Sequence, residues 1–466
     1  MQYYFIGIGG IGMSALARHL FDQGHEVWGY DKTDSHLIHT LQDLGLSITT
    51  ESAEEAVLKH FNTWMLLNQN TESWIIRTPA VPNEFRLLQA AMSSGIPILK
   101  RSELLGQLTR NAATLAVAGT HGKTTTSAML AWIMKGEPRG CTAFIGGVLR
   151  SEQSNVISSK NAEWTVVEAD EFDRSFLQLH PTHAAITSVD PDHLDIYGDS
   201  HAFIEGFRDF ANLVEGDRWL EHRVELSGIN GFRYGIAANS DELETLDLAA
   251  YGVKLNNGWL EADVHFEGTV HQNVRFPMPG NHNILNALAA IGLAISAGVE
   301  VQQCIQRLES FQGIHRRFSY QIRSEHGIFI DDYAHHPQEL EAAISAARMH
   351  HPEKKITGIF QPHLYSRTRD NLEGFARILS QLDRIFILPI YAAREESIPG
   401  IDSQRLFENI TNPSKHLIES HQIFDNLKEF PPEVLMTLGA GDIDRCVQPL
   451  TDWLLEDPGK RFYSTT

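Results

Sequence analysis

Leu115-Ala-Val-Ala-Gly119-Thr-His-Gly122-Lys123-Thr124-Thr125 is the stretch that decides the fold. Four apolar residues predict a strand, the glycine-containing segment a loop, and Met129, Leu130 and Ile133 beyond it the apolar face of a helix. A glycine loop between a strand and a helix cradles phosphate, because free N–H groups and the helix dipole both favour negative charge there. The Gly-Lys-Thr end of a P-loop is intact, although Val117 fills the slot where the strict G-x-x-x-x-G-K-S/T pattern has its first glycine. Lys123 is expected to reach the outer phosphates of ATP, and Thr124 or Thr125 to offer a hydroxyl to Mg²⁺.

Upstream, Tyr3–Ile8 predicts a strand, Met13, Leu16 and Leu20 a helix that Gly24 ends, and His25–Tyr30 a second strand that closes on Asp31. Between the first strand and its helix lies Gly7-Ile-Gly9-Gly10-Ile11-Gly12, a G-x-G-x-x-G loop. This second cradle is expected to hold a diphosphate, with NAD, FAD and UDP-sugars all open as ligands. Two such loops in separate α/β segments imply two different phosphorylated ligands.

Downstream, the run Trp164–Val167 leads into Glu168-Ala-Asp170-Glu171, carboxylates at a strand end where a P-loop magnesium site needs them. Ala184–Thr187 leads into Asp190-Pro-Asp192-His193-Leu-Asp195, with His193 as metal ligand or plain loop residue. Residues 220–278 read as a β-rich insertion. The last third returns to α/β, with strands at Ile328–Ile330, Ile356–Phe360, Ile385–Ile390 and Val434–Leu438. Their ends carry Asp331-Asp332-Tyr333-Ala-His335-His336-Pro337, Gln361-Pro-His363-Leu-Tyr365-Ser-Arg367 and Gly439-Ala-Gly441-Asp442. Ligands of open parallel sheets bind outside the carboxyl ends of the strands, so these turns mark a binding edge. A zinc site at His335 and His336 has little behind it, since adjacent residues rarely converge on one ion.

At 466 residues the chain predicts about three domains, at roughly 100–200 residues each. A net charge of −21 disfavours nucleic acid and anionic membrane surfaces as partners. Three scattered cysteines, Cys141, Cys304 and Cys446, support neither a disulfide framework nor a cysteine zinc site. No signal segment or run of 18 apolar residues is seen, so a cytoplasmic protein is expected.

The ordered set of motifs resembles the Mur ligase family of peptidoglycan synthesis, in its alanine-adding form, across essentially the whole chain. The resemblance rests on Gly7–Gly12, Ala116–Thr125, Glu168–Glu171, Asp192–Asp195, Gly280-Asn-His-Asn283-Ile-Leu-Asn286, His315-Arg-Arg317-Phe, Asp331–Pro337 and Phe360-Gln-Pro-His363. It implies an α/β chain of three domains. Residues 1–106 would form a Rossmann-like domain for the UDP-sugar. Residues 107–318 would form a P-loop ATPase domain with a parallel sheet and a small β insertion, and residues 319–466 a Rossmann-like domain for the amino acid.

By matching motif, the resemblance assigns Gly7, Gly9, Gly10, Ile11, Gly12 and Asp31 to the UDP-sugar. It assigns Gly119, Thr120, His121, Gly122, Lys123, Thr124, Thr125, Asn283, Asn286, Arg317 and Asp332 to ATP. Thr124, Glu168 and His193 would hold Mg²⁺, and Tyr333, His335 and Arg367 would meet the amino acid. Lys123, Glu168, His193, Arg317 and His335 form the implied catalytic set, with His335 as acceptor or positioning group for the amine. Many members carry an Arg in the slot of Leu364, which shifts the burden of the amino-acid carboxylate onto Arg367 or another cation.

The implied activity adds L-alanine to the carboxylate of UDP-N-acetylmuramate, with ATP and Mg²⁺, and no nucleic-acid or membrane partner. Three other readings compete: a dehydrogenase using NAD at Gly7–Gly12, a ligase that recycles whole murein peptides onto the same sugar nucleotide, and a nucleotide-sensing regulator without catalysis. Oligomeric state is not legible in the sequence.

Overall fold

The computed structural model describes residues 1–67, 71–191, 194–393 and 395–462. The chain is built on three sheets, in the order its motifs suggested.

The first sheet is parallel throughout, with strands β1 (Gln2–Ile6), β2 (Glu26–Tyr30), β3 (Ser47–Thr49), β4 (Ser73–Arg77) and β5 (Ile98–Lys100) in the order β3-β2-β1-β4-β5. Helices α1 (Ile11–Asp22), α2 (His36–Asp43), α3 (Glu54–Leu67), α4 (Arg86–Ser93) and α5 (Arg101–Arg110) follow the strands. Met13, Leu16 and Leu20 of α1 are buried, as their spacing predicts. Burying each such side chain stabilises the fold by about 1.5–3 kcal/mol. β1 stops at Ile6, two residues short of the sequence expectation, because the chain turns at Gly7 (φ +89°). The strand order reverses between β1 and β4, the crevice where ligands of doubly wound sheets bind.

The second sheet has ten strands: β6 (Ala113–Ala118), β7 (Cys141–Leu149), β8 (Ser154–Ser158), β9 (Trp164–Ala169), β10 (His183–Ile186), β11 (Arg218–Glu221), β12 (Phe232–Ala237), β13 (Leu248–Asn256), β14 (Trp259–Phe266) and β15 (Thr269–Phe276). Their order is β15-β14-β13-β12-β11-β10-β6-β9-β7-β8. Residues 220–278 are β-rich, as the sequence predicts. They continue the central sheet, with β11 pairing in parallel with β10 and β12 with β11. Helices of this part are α6 (Lys123–Lys135), α7 (Leu194–Tyr197), α8 (Ser200–Leu213), α9 (Ser240–Leu243), α10 (Asn281–Ser296) and α11 (Val301–Glu309).

The third sheet has strands β16 (Ser319–Arg323), β17 (Ile328–Asp332), β18 (Ile356–Phe360), β19 (Arg384–Ile387), β20 (Lys415–Leu417) and β21 (Val434–Leu438), in the order β16-β17-β21-β18-β19-β20. Only β16 runs antiparallel. β17, β18 and β21 are fully buried, as central strands covered on both faces are. Among its helices are α12 (Pro337–His350), α13 (Tyr365–Asp370) and α14 (Leu372–Leu379). In register, Asp332, Leu438 and Phe360 stand side by side, so the three polar turns that follow them open at one edge.

The chain divides into two compact units. One comprises residues 1–253, 262–275 and 284–312, the other residues 254–261, 276–283 and 313–466. No helix among the described residues is long and apolar enough to cross a membrane.

Candidate active site

In the first unit, the loop between β6 and α6 is pinned from several sides. Thr120 Oγ1 donates to the Asp190 carbonyl at 2.7 Å, and His121 N–H to Ser188 Oγ at 2.9 Å. Gly122 takes φ +82°, and a Cβ there would collide with Asn286, whose Oδ1 also accepts from Thr126 Oγ1 at 3.2 Å. Only glycine meets both demands. Asn286 and Thr125 are buried beside the loop.

Lys123 Nζ folds back over this loop, donating to the carbonyls of Gly119 (2.6 Å) and Thr120 (3.2 Å), and lies 2.7 Å from Glu171 Oε2. Burial alone would lower the Lys123 pKa, yet Glu171, Asp170 and Glu168 around it raise it, so the amine stays charged. Burial pushes the Glu171 carboxyl up to about 7, against the pull of Lys123.

β9 lies beside β6, with Glu168 level with Val117, which brings the carboxylate cluster to the loop. Glu168 Oε1 accepts from Thr124 Oγ1 at 2.6 Å and Oε2 from the Gly146 N–H at 2.7 Å. A hydroxyl and a carboxylate in contact are hard oxygen donors, the set Mg²⁺ takes beside nucleotide phosphates. The residues present therefore fit magnesium. His193, the other expected ligand, lies outside the described residues, among which no group of three or more His, Cys, Asp and Glu could hold an ion by protein ligands alone.

The Gly7–Gly12 loop sits between β1 and α1, where the sequence placed it, and the Asp31 carboxylate is bound into it. Its Oδ2 accepts from the Gly9 N–H at 2.8 Å and its Oδ1 from the Thr33 N–H at 2.9 Å. The N–H groups of Gly7 and Ile8 bond the Tyr30 carbonyl. The donors on offer to an anion are then those of the first turn of α1, residues 11–13. Gly12 faces Arg101: a Cβ there would lie 2.9 Å from Arg101 Nη1.

In the second unit, Asp332 is buried and both its oxygens are engaged, accepting from the N–H groups of Phe318 and Ala334 at 2.7 Å each. Burial lifts its carboxyl to about 6 against the pull of Arg317. Tyr333 lies beneath two guanidiniums, Arg316 at 5.1 Å and Arg317 at 5.3 Å. His335 Nδ1 is 3.0 Å from the Tyr333 carbonyl, an acceptor only, so the neutral ring carries its proton on Nδ1 and leaves Nε2 as an acceptor. Burial drives the His335 pKa down to about 4, although Glu339 pulls it up. His363 accepts from Arg367 through Nδ1 at 3.0 Å, packs its ring 5.9 Å from that of His335 and stacks on Tyr391. Leu364 takes φ +70°, ψ 139°, a conformation costly for a side chain, where α13 begins.

The expected residues thus fall into three clusters. Lys123, Thr124, Glu168 and Asn286 meet at the P-loop, and Gly7–Gly12 with Asp31 form the other loop. Arg317, Asp332, Tyr333, His335 and, through His363, Arg367 meet at the third sheet edge. Asn283, also expected at the nucleotide, belongs to the second unit, where its Nδ2 donates to the Pro279 carbonyl at 2.6 Å. Glu171, Arg101 and His363 were missing from the expected set. Glu171 and His363 stood inside quoted motifs, whereas nothing in the sequence around Arg101 signals its position beside Gly12.

Three family models cover the chain: the Mur ligase family catalytic domain over residues 2–113, the Mur ligase middle domain over 117–294, and the Mur ligase glutamate ligase domain over 316–443. The UDP-N-acetylmuramate–L-alanine ligase of Christiangramia forsetii is 42% identical over 456 residues, with 98% of each chain covered. That of Porphyromonas gingivalis is 41% identical, covering 97% of this chain and 99% of its own. The crystal structure of the UDP-N-acetylmuramate–alanine ligase of Thermotoga maritima matches with a TM-score of 0.81 at 26% identity, over 98% of this chain and 100% of that one.

Proposed function

The chain belongs to the Mur ligase family, and from that premise we propose that it joins L-alanine to the carboxylate of UDP-N-acetylmuramate at the expense of ATP, in the cytoplasm, in peptidoglycan precursor synthesis. We assign the UDP-sugar to residues 1–106, ATP to 107–318 and the amino acid to 319–466. The observation that carries the reading is the cluster of Lys123, Thr124 and Glu168 at a second phosphate loop, in a chain about 40% identical over its length to ligases of that name.

A carboxylate is a poor acylating agent, so the amide needs an activated acyl group. Transfer of the γ-phosphoryl of ATP to the muramate carboxylate supplies it as an acyl phosphate, and the amine of alanine then expels phosphate through a tetrahedral intermediate. Phosphoryl transfer depends chiefly on alignment and charge neutralisation, which suits a site whose main tools are a lysine, a hydroxyl beside a carboxylate, and loop N–H groups. Lys123 would leave Glu171 to meet the outer phosphates. Thr124 and Glu168 would hold Mg²⁺, which when bound supplies charge neutralisation at the phosphates.

His335, neutral with Nε2 free of its proton, is suited to accept a hydrogen bond from the amine and aim it. With a pKa of about 4 it is too weak a base to strip an ammonium of its proton. Arg367, held by His363, is a cation at hand for the alanine carboxylate where Leu364 stands in the slot of an arginine, with Arg316 and Arg317 over Tyr333 as the others. A dehydrogenase using NAD would leave the cluster of Lys123, Thr124 and Glu168 at the P-loop without a use.

The test is product mass after incubation with ATP, Mg²⁺, UDP-N-acetylmuramate and each amino acid in turn. Alanine addition with stoichiometric phosphate release is expected. Addition of an intact murein peptide in preference to alanine would favour the recycling ligase, and no product with any acceptor a sensor.

A further inference from the structure

We propose that Arg101 is a binding residue for the diphosphate of the sugar nucleotide, and that Asp170 is the positioning residue that holds it at the Gly7–Gly12 loop. The inference rests on the reading of that loop as the UDP-sugar site.

Arg101 is the first residue of α5, a helix anchored by buried Leu104 and Leu105 and capped where Glu103 accepts from the Lys100 N–H at 2.6 Å. Its guanidinium is therefore carried by a fixed element. Its two terminal nitrogens face different ways. Nη2 donates to Asp170 Oδ2 at 3.0 Å, while Nη1 lies against Gly12 in the first turn of α1. Asp170 is itself oriented, since its other oxygen accepts from the Phe172 N–H at 3.1 Å.

A guanidinium gripped on one edge and open on the other can complete a fork to a phosphate oxygen with little further loss of freedom. Helix N–H groups from α1 and a cation from α5 would then approach the diphosphate together. This also explains why position 12 is glycine: a side chain there would push the guanidinium off the loop. A merely structural role is the alternative, because Lys100 and Asp173 form a second ion pair (3.2 Å) between the same two segments.

Binding of UDP, as the diphosphate probe, and of Mg·ADP to the full-length protein separates these cases by calorimetry. Arg101→Gln is expected to weaken UDP about tenfold and Mg·ADP less than about twofold, Arg101→Lys to fall between, and Asp170→Asn to weaken UDP by a smaller factor. Lys100→Gln, which breaks the neighbouring ion pair alone, is expected to leave UDP binding unchanged. Wild-type UDP affinity in folded Arg101→Gln or Arg101→Lys, or an equal loss in Lys100→Gln, overturns the proposal while leaving the loop assignment intact. Failure of the wild-type protein to bind UDP and UDP-N-acetylmuramate, with Mg·ADP still bound, overturns the loop assignment and this inference with it.

Discussion

Lys123 Nζ lies 2.7 Å from Glu171 Oε2, so the lysine proposed to meet ATP is paired with a buried carboxylate. The loop thus rests in a self-neutralised form, and nucleotide must compete with Glu171 for the ammonium. Burial puts the Glu171 carboxyl at about 7, so lowering the pH through that value protonates it and loosens its hold. Mg·ADP affinity is expected to rise as pH falls from 8 to 6. In Glu171→Gln it should be nearly flat across that range and close to the low-pH wild-type value. Calorimetry at the two pH values checks this, and parallel pH profiles for both proteins would refute it.

Lys123→Ala should lower the rate of phosphate release about 10²–10³-fold, the scale for losing one charged group at a developing phosphoryl charge. UDP binding should be unaffected. Glu168→Gln removes the carboxylate that Thr124 touches, and the Mg²⁺ concentration for half-maximal activity should rise about tenfold. Titrating Mg²⁺ at saturating ATP measures it, and an unchanged midpoint would remove Glu168 from the metal site.

Leu364→Arg should lower KM for L-alanine about tenfold, the worth of one charge-assisted hydrogen bond of about 1.4 kcal/mol. KM for ATP should stay put. The backbone there already takes a conformation unkind to side chains, so exchanging one for another adds no new strain. A rise in KM for alanine would show that the slot points elsewhere.

His282 and His335 both have pKa values lowered to about 4 by burial, below the ordinary 6.5. The folded protein keeps these rings neutral where the unfolded chain would protonate them. Their contribution is complete above pH 6.5 and is lost as pH falls towards 4, at about 1.4 kcal/mol per ring for each pH unit in that window. Denaturant unfolding should show stability falling between those limits, and a smaller fall in His335→Gln. Asp332→Ala strips two buried backbone N–H groups of their acceptor and should cost about 2–4 kcal/mol at pH 7.

The motifs that could be read from the sequence are those whose chemistry is local. Gly119–Thr125 announces itself because loop, lysine and helix start are contiguous, and Glu168 follows because a strand end beside a P-loop has few other uses. The meaning of Glu171 was hidden because it depends on an ion pair to a residue 48 positions away. Arg101 was hidden more deeply, since a helix-initiating arginine looks like any solvated one until Gly12 is placed against it. Strand ends near Ile6 and Ile387 were overestimated because an apolar run can continue into a turn, and the alternation within residues 220–278 announces strands without revealing which sheet they join.

The commitment of Asp31 to the Gly9 and Thr33 amides bears on what else can enter the first crevice. A free acidic side chain at this place would welcome the adenosine ribose of a nicotinamide dinucleotide, and such molecules are abundant wherever metabolism runs. With one amide bond at each oxygen, the carboxylate is held against the loop while a lone pair on each oxygen remains for a hydroxyl donor. A ribose entering the crevice proposed for the UDP-sugar would therefore meet an acceptor already aimed by its own loop, at little further cost in side-chain freedom.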